Sequence, residues 1–257
     1  RPLSDILQEA ARLGESGVRE VVLTGIHVSS YGKDLENLGF IDVLEGLQQV
    51  GSIRRIRLSS LEPSLLTREF CHRAAALSKL CPHFHVSLQS GCTTVLRRMH
   101  RKYTAEEYAG YIANLREVFD KPAITTDVIA GFPEETPEEH AETMRFLESI
   151  DFAKLHVFPY SRREGTLAAK MPDLSGDVKK RRAAEIIALG QKMGEAYAES
   201  LVGSECEVLL EQAVCPGVCE GYNERYLHCE VPGEAGEICR VRIDHIQDGR
   251  GICQRIL

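Results

Sequence analysis

The sequence predicts an α/β fold in which a parallel sheet or barrel is followed by a small all-β barrel. Five apolar, strand-like segments alternate with helical segments and short connections up to about residue 200. This alternation is typical of stacked βα units. Beyond that point the chain changes to short segments of alternating hydrophobicity separated by glycine turns, which is typical of a small β-barrel. We therefore expect two domains, at 1–198 and 199–257.

The helices and strands of the first domain are predicted from the spacing of apolar residues and from residues that typically cap or end such elements. Residues 4–16 carry an apolar stripe at helical spacing, with Ser4 as the expected N-cap. Residues 18–25 are almost continuously apolar, which predicts a strand buried on both faces. Thr104 is expected to cap a helix over 105–119. The other predicted elements are helix 40–50, strand 53–63, helix 64–80, strand 83–91, strand 123–132, helix 138–149, strand 154–161 and helix 177–201.

The second domain is predicted to contain β segments at 206–212, 218–231, 237–247 and 251–257. From residue 200 onward there are ten Asp and Glu residues against five Arg and no Lys, so this part carries −5 of the formal net charge of −7. A negative chain argues against a broadly basic surface that coats nucleic acid. A local basic face remains open.

Composition excludes several classes of protein. The chain is 43% hydrophobic and 27% charged, as expected of a globular protein with its own core. It has no apolar run near the roughly 18–20 residues of a membrane helix and no apolar block of a secretory signal at its start. We therefore expect a cytoplasmic protein without membrane association, whose nine cysteines are reduced thiols. The chain begins without Met and enters a helix at once, which suggests an internal cut.

Polar residues and glycines recur at the ends of the predicted strands. In parallel α/β folds the carboxyl ends of the strands form the ligand site. Glycines and serines also end strands for purely structural reasons, but five strands that end alike favour a shared site. These strand ends are Thr24-Gly25, Ser59-Ser60, Gln89-Ser90-Gly91, Gly131 with Glu135, and Tyr160-Ser161.

Read together, the strand-end segments resemble one family. They are EVVLTGIHVSSYG (20–32), IRLSSLEP (56–63), HVSLQSGCTTVLRRMHRKYT (85–104), TDVIAGFPEETPEE (126–139) and FPYSRREGTLAAKM (158–171). They are similar to the methylthiotransferases of the radical-SAM superfamily. LTGIH followed by YG, together with SSLEP, favours the branch that acts on threonylcarbamoyladenosine beside the tRNA anticodon.

The resemblance implies a partial (β/α)6 barrel that lacks its first strand here, followed by a TRAM-like, OB-like RNA-binding barrel. It also implies S-adenosylmethionine and two 4Fe-4S clusters in the parent protein. Their Cys-x3-Cys-x2-Cys motif and a second set of three cysteines are expected before Arg1. Cys215 and Cys219 match the first spacing, but Tyr222 stands at the third position and the segment lies in the barrel. We therefore expect no cluster ligands and no catalytic residues in this chain, and no turnover by it.

The family's cofactor contacts carry over to strand-end positions. Thr24 and Gly25 would meet the methionine amino group, Ser59 and Glu62 the amino group or ribose, and Gln89 and Ser90 the ribose. Arg101 is the candidate for the methionine carboxylate, which arginine binds through two hydrogen bonds. Plain strand ends and a solvated helix face are the competing interpretations. The adenine side would be formed by Asp127, Ile129, Gly131, Phe158 and Tyr160, with core packing as the alternative for Tyr160.

The turn after the predicted strand 123–132 departs from the family pattern. The family usually has Gly where this chain has Glu134, which leaves the conformation of the turn open. Gly131 is expected to let the backbone approach a flat adenine. Glu135 is expected to cap the next helix.

Two basic runs are candidates for binding RNA phosphates: Arg162 and Arg163, and Lys179, Lys180, Arg181 and Arg182. An ordinary solvated helix start is the alternative for the second run. Cations at a helix N-terminus are mildly unfavourable, which favours a binding role.

Metal sites elsewhere are weakly indicated. His27, His83 and His85 suggest a metal, but histidines satisfied within a strand are favoured, because no further ligands converge. The barrel cysteines could bind zinc in part, but small core residues are favoured.

The sequence therefore predicts a radical-SAM tRNA methylthiotransferase that modifies C2 of N6-threonylcarbamoyladenosine. Its expected partners are a tRNA anticodon stem-loop and an electron donor, and it is expected to be a monomer. The alternatives are an RNA-binding fragment without catalysis, a different radical-SAM reaction, and methylthiolation of isopentenyladenosine tRNA or of a ribosomal protein.

Overall fold

The first part of the molecule contains five parallel strands in two hydrogen-bonded groups, which together we call the sheet. The computed structural model describes residues 1–25, 28–35 and 38–256. The strands are β1 (Glu20–Leu23), β2 (Arg55–Leu58), β3 (His83–His85), β4 (Ala123–Ala130) and β5 (Lys154–Pro159). β1 pairs with β2, and β3, β4 and β5 pair in that order, all in parallel. Parallel bridges from Ile56 to Leu80 and from Leu61 to Val86 join the two groups in chain order.

Helices cover the outer face of this sheet. They are α1 (Leu3–Glu15), α2 (Phe40–Gln48), α3 (Arg68–Ala75), α4 (Thr93–Arg98), α5 (Ala105–Val118), α6 (Pro137–Ile150) and α7 (Gly176–Ser200). Thr104 and Thr136 begin α5 and α6 with capping boxes that include Glu107 and Glu139. The core between the helices and the sheet is apolar and contains, among others, Leu44, Ile56, Phe84, Tyr108 and Leu147.

Five further strands close into a small barrel after α7. They are β6 (Glu205–Cys215), β7 (Val218–Asn223), β8 (His228–Pro232), β9 (Ile238–Gln247) and β10 (Arg250–Arg255), in the order β10-β8-β7-β6-β9. Alternate residues fill the barrel interior, and five of them are cysteines: Cys206, Cys219, Cys229, Cys239 and Cys253. These thiols are core residues, as the sequence favoured. The boundary between residues 198 and 199 remains a prediction.

The alternation of strands and helices and the terminal barrel are confirmed, and several details are corrected. Pro2, not Ser4, precedes α1, and no side chain caps that helix. β1 is not buried on both faces: Val22 is 53% exposed, and within the described residues β1 pairs only with β2. The segment 218–231 is two strands, β7 and β8, because the chain turns at 224–227.

The helix expected at 64–80 is shorter, and α4 was not predicted. A 3-10 turn at Pro63–Leu65 precedes α3, which spans only Arg68–Ala75. α4 has only six residues, too few for a helical period to stand out. No described helix is long and apolar enough to cross a membrane.

Candidate functional site

A groove of about 520 Å³ opens at the carboxyl ends of β4 and β5. Its walls are mainly apolar and aromatic, and Gln89 and Asp127 add polar groups. Five of the predicted cofactor residues come together in it: Gln89, Asp127, Ile129, Phe158 and Tyr160. An apolar cleft with few polar groups is the usual form of a small-molecule site. The shared site at the strand ends stays a prediction, and at this point of the sheet five of its residues lie together.

Gln89 joins the end of β3 to β4. Its N–H donates to the carbonyl of Asp127 and its carbonyl accepts from the N–H of Ile129, both at 2.9 Å. Its φ of 74° lies in the left-handed region, which non-glycine residues rarely adopt. Strained backbone of this kind clusters at functional sites.

Asp127 lies in a polar part of the groove. Its Oδ2 is 3.5 Å from Nε2 of His85, and Nδ1 of His85 is 3.0 Å from Oγ1 of Thr125. The rings of His85 and His156 lie 5.6 Å apart. Burial, followed by the charge of His85, lowers the pKa of His156. Sequence reasoning missed His85 as the partner of Asp127, although strand alternation places both on the inner face of the sheet.

Arg101 and Glu62 also come together. Their Nη1 and Oε1 atoms are 3.8 Å apart, although 39 positions separate them in the sequence. Arg101 lines a second groove of about 420 Å³ with Phe132, and this groove shares Ile129 with the first. A cation and a carboxylate therefore stand beside the apolar walls, and such a pair complements a zwitterionic amino acid.

Four predicted cofactor residues lie elsewhere. Thr24 and Gly25 line a different groove of about 890 Å³, between β1, α1 and α2. Ser90 is 1% exposed, and its hydroxyl is engaged with Oγ1 of Thr143 and the N–H of Cys92. Ser59 is half-buried after β2, where its N–H donates to the carbonyl of Leu23. Cofactor roles for these residues remain predictions.

Gly131 has a different neighbour from the one expected. Its φ is 70°, and a Cβ at this position would lie 2.6 Å from Cγ of Lys179. The close approach that requires glycine is therefore made by α7. Lys179 Nζ also lies 5.6 Å from the centre of the Tyr160 ring and 2.9 Å from Oδ2 of Asp173.

The prediction that Glu135 caps the following helix is wrong. Thr136 caps α6, whereas Glu135 is 3% exposed. Its Oε2 accepts from the N–H of Gly131 at 3.1 Å and lies 2.6 Å from Nη1 of Arg182. Arg182 is therefore buried in an ion pair, and its assignment to an RNA surface is corrected.

The remaining basic candidates are on the surface. Arg162, Arg163, Lys180 and Arg181 are exposed, and Arg181 lies 3.9 Å from Glu185 of the same helix. Arg163 also lines the first groove. We call these four residues the cationic rim, because they lie beside the carboxyl end of the sheet.

The described residues contain no group of three His, Cys, Asp or Glu side chains arranged to hold a metal ion. His83 stacks on Tyr226 with 4.9 Å between ring centres, and its buried Nδ1 has no hydrogen-bond partner among the described residues. The preference for satisfied strand histidines over metal ligands stays a prediction. His27 lies outside the described residues. Eight of the nine cysteines are buried, and Cys215 is exposed.

Comparisons with known proteins identify relatives of this chain. A family model described as the radical SAM superfamily matches residues 1–147. The chain is 38% identical over 252 residues to threonylcarbamoyladenosine tRNA methylthiotransferase MtaB of Bacillus subtilis, covering 95% of this chain and 56% of that protein. It is 36% identical over 213 residues to tRNA-2-methylthio-N(6)-dimethylallyladenosine synthase of Acetivibrio thermocellus, covering 82% of this chain and 44% of that protein. The chain thus spans about half the length of these relatives.

Among solved structures, the fold is similar to coproporphyrinogen III oxidase (HemN) from Escherichia coli, a radical SAM enzyme. The TM-score is 0.58 at 19% identity, over 75% of this chain and 45% of that one. At this identity the similarity concerns the fold alone.

Proposed function

This chain belongs to the radical SAM superfamily, and we propose that it is part of a tRNA methylthiotransferase acting on N6-threonylcarbamoyladenosine. The observation that carries the proposal is the 38% identity to the Bacillus subtilis MtaB over 95% of this chain. The sequences LTGIH and SSLEP at the strand ends support the branch of the family that acts on threonylcarbamoyladenosine.

The residues of the groove fit S-adenosylmethionine. Ile129 and Phe158 offer apolar surface to a flat base, and the buried hydroxyl of Tyr160 has no hydrogen-bond partner among the described residues. Glu62 and Arg101 suit the amino and carboxylate groups of a methionine. When bound with an iron–sulfur cluster, S-adenosylmethionine supplies radical chemistry. In our proposal the side chains of this chain bind, orient and shield it.

The residues do not fit an iron–sulfur cluster. A cluster needs cysteine thiolates that converge, and no such group exists among the described residues. We therefore derive no step through a cluster, and expect its ligands to belong to a part of the protein outside this chain.

The tRNA is proposed to approach the carboxyl ends of the strands. The cationic rim lies beside the groove there, and exposed arginines and lysines bind phosphates. An RNA-binding fragment without catalysis is the second candidate, which the exposed residues of the cationic rim support. Methylthiolation of isopentenyladenosine is the third, since the 36% identical relative is named for dimethylallyladenosine.

Analysis of bulk tRNA from cells that lack the gene tests the substrate. We expect the methylthio group to disappear from threonylcarbamoyladenosine and to remain on isopentenyladenosine, as measured by mass spectrometry of nucleosides. Loss from isopentenyladenosine instead would support the third candidate, and retention of both would contradict a methylthiotransferase.

Cofactor binding can be tested on this chain without turnover. Equilibrium dialysis with S-adenosylmethionine should show roughly 10- to 150-fold weaker binding for Arg101→Gln, because a charged hydrogen bond contributes about 1.5–3 kcal/mol. Arg97→Gln is the matched control, since Arg97 is exposed on α4 and lines neither groove. Equal affinities of the two variants would contradict the assignment of Arg101.

A further inference from the structure

Arg163 is the one cation among the described residues that line the first groove. Its side chain is exposed, and no carboxylate of the described residues lies within 4.0 Å of its guanidinium. The one carboxylate of the groove, Asp127, faces His85 instead, with 3.5 Å between Oδ2 and Nε2. The groove therefore presents a positive charge that has no counter-ion within the described part of the chain.

The segment that carries Arg163 runs between the two grooves. We call residues 161–171 the strap, because Thr166 and Ala168 line both the first and the second groove. Ala168 packs against the buried apolar cluster that contains Phe132. The strap is thereby fastened beside the proposed cofactor site.

A turn within the strap fixes the backbone of Arg163. The hydroxyl of Thr166 donates to the carbonyl of Arg163 at 2.8 Å and accepts from the N–H of Ala169 at 3.2 Å. Gly165 has a φ of 80°, a left-handed conformation that glycine adopts without steric cost. Because its backbone is already held, Arg163 loses less conformational freedom on binding an anion than an arginine of a mobile loop would.

The groups at N6 of the two candidate substrates differ in charge. A threonylcarbamoyl group ends in a carboxylate and carries a hydroxyl, whereas a dimethylallyl group is a hydrocarbon. Arginine binds a carboxylate through two parallel, charge-assisted hydrogen bonds. A hydrocarbon offers the guanidinium no acceptor, and it would displace water from a charged group without replacing the hydrogen bonds of that water. A cation beside N6 therefore favours the threonylcarbamoyl group.

The shape of adenine brings the group at N6 to the groove. C2, the atom that the proposed reaction modifies, and N6 lie on the same edge of the base. A base whose C2 faces a cofactor bound against Ile129 and Phe158 therefore keeps its N6 substituent beside the groove walls. Arg163 supplies the positive charge of those walls.

We propose that Arg163 is a specificity-determining residue, which selects N6-threonylcarbamoyladenosine by binding the carboxylate of its threonyl group. The inference rests on the proposed function, because it requires that substrate. A tRNA phosphate is the competing ligand, since Arg163 also belongs to the cationic rim. Both anions would accept the same hydrogen bonds, but only the carboxylate depends on the modification of the base.

Three synthetic anticodon stem-loop RNAs separate the two ligands. They are identical except at one base, which is N6-threonylcarbamoyladenosine, N6-dimethylallyladenosine or unmodified adenosine. Dissociation constants for this chain are measured by fluorescence anisotropy at one salt concentration. Because the phosphates are the same in all three RNAs, phosphate contacts cancel in the ratio of two constants. We expect the threonylcarbamoyl stem-loop to bind roughly 5- to 20-fold more tightly than the other two, as for a partly exposed charge pair.

Substitution of Arg163 should remove this preference. In Arg163→Gln the three RNAs should bind with nearly equal constants, and Arg163→Lys should keep part of the preference, since lysine retains the charge without the two parallel hydrogen bonds. Arg162→Gln is the matched control, because Arg162 is an exposed neighbour that does not line the groove. It should weaken all three RNAs by one factor and leave the ratios as in the wild type.

Several results would overturn the assignment of Arg163. They are the absence of a preference in the wild type, an Arg163→Gln variant that keeps the full preference, and an equal loss of preference in Arg162→Gln. The proposed function is decided separately by the nucleosides of cells that lack the gene. If threonylcarbamoyladenosine loses its methylthio group there while Arg163→Gln keeps the preference, the proposed function stands and the role of Arg163 fails.

Discussion

At the scale of single residues, the backbone of Glu134 is in a strained conformation although its side chain is exposed. Its φ is 62°, its side chain is exposed, and it stands where the resembling family usually has glycine. The turn therefore keeps the glycine conformation without glycine, which answers what the sequence left open. An L-residue in this region costs about 1–2 kcal/mol relative to glycine.

Glu134→Gly should raise the free energy of unfolding by about 1 kcal/mol, because the turn is relieved of that strain. The measurement is urea unfolding monitored by circular dichroism. Glu134→Ala is the matched control and should show no gain, since alanine keeps the Cβ. If Glu134→Gly lowered the free energy of unfolding, the Glu134 side chain would have to make a contact that stabilises the folded state.

His83 is a buried histidine that lies between the sheet and the barrel, where it stacks on Tyr226. Burial, with a smaller contribution from Arg57, lowers the pKa of His83 to about 3. In the unfolded chain the same group has a pKa near 6.5. Between these values the unfolded state binds the extra proton, so the folded state loses stability as pH falls from 6.5.

By linkage, the His83 contribution to the free energy of unfolding should fall by ~2 kcal/mol between pH 7.5 and pH 5. His83→Phe keeps the stack on Tyr226 and should lose less stability over that interval than the wild type. Urea unfolding at both pH values measures this. His72→Gln is the control, because His72 is exposed. If His83→Phe lost as much unfolding free energy between pH 7.5 and pH 5 as His72→Gln, His83 would not titrate as described.

At the scale of elements, the start of α7 is fixed by a single buried ion pair. Arg182 Nη1 contacts both the carbonyl and the Oε2 of Glu135, at 2.9 and 2.6 Å. Glu135 in turn holds Gly131. The pair joins the turn after β4 to the helix that leads to the barrel.

Arg182→Met should lower the free energy of unfolding by about 3–5 kcal/mol, since it leaves the Glu135 carboxylate buried and unpaired. Denaturant unfolding gives the value. Arg181→Met is one position away with an exposed side chain, and should change stability by less than about 0.5 kcal/mol. Adding Glu135→Gln to Arg182→Met should recover more than half of the loss; no recovery would contradict the ion-pair explanation.

Elements with strong local signals were predictable from sequence. The helix cap at Thr104 and the long helical period of α7 both depend on neighbouring residues, and both are confirmed. The burial of β1 was predicted wrongly, because apolar composition does not reveal whether a strand has one neighbour or two. The break between β7 and β8 was missed, since the segment contains no proline and its glycine, Gly221, lies inside β7.

At the scale of the whole molecule, the expectation that ligands bind at the carboxyl ends of parallel strands pointed to the region of the groove. It did not predict which charged side chains pair with each other there. Glu62 with Arg101 and Glu135 with Arg182 are 39 and 47 positions apart, and their contacts depend on how loops and α7 pack. Likewise, nothing in the sequence of Arg55 and Arg57 indicates that their partners are carbonyls of the barrel. Contacts made across domains leave no periodic signal.

The buried thiols make the stability of each part separately measurable. Cys71, Cys81 and Cys92 lie within the first part of the molecule, and five more fill the barrel interior, whereas Cys215 alone is exposed. An alkylating reagent should therefore modify one cysteine at once in the native protein and the other eight only as their surroundings open. Mass spectrometry of the labelled peptides then gives an opening rate for each part. If the barrel cysteines react at the same rate as Cys81 of the first part, the two parts open as a single cooperative unit. The natural cysteines are sufficient for this measurement, so no labelling site has to be introduced.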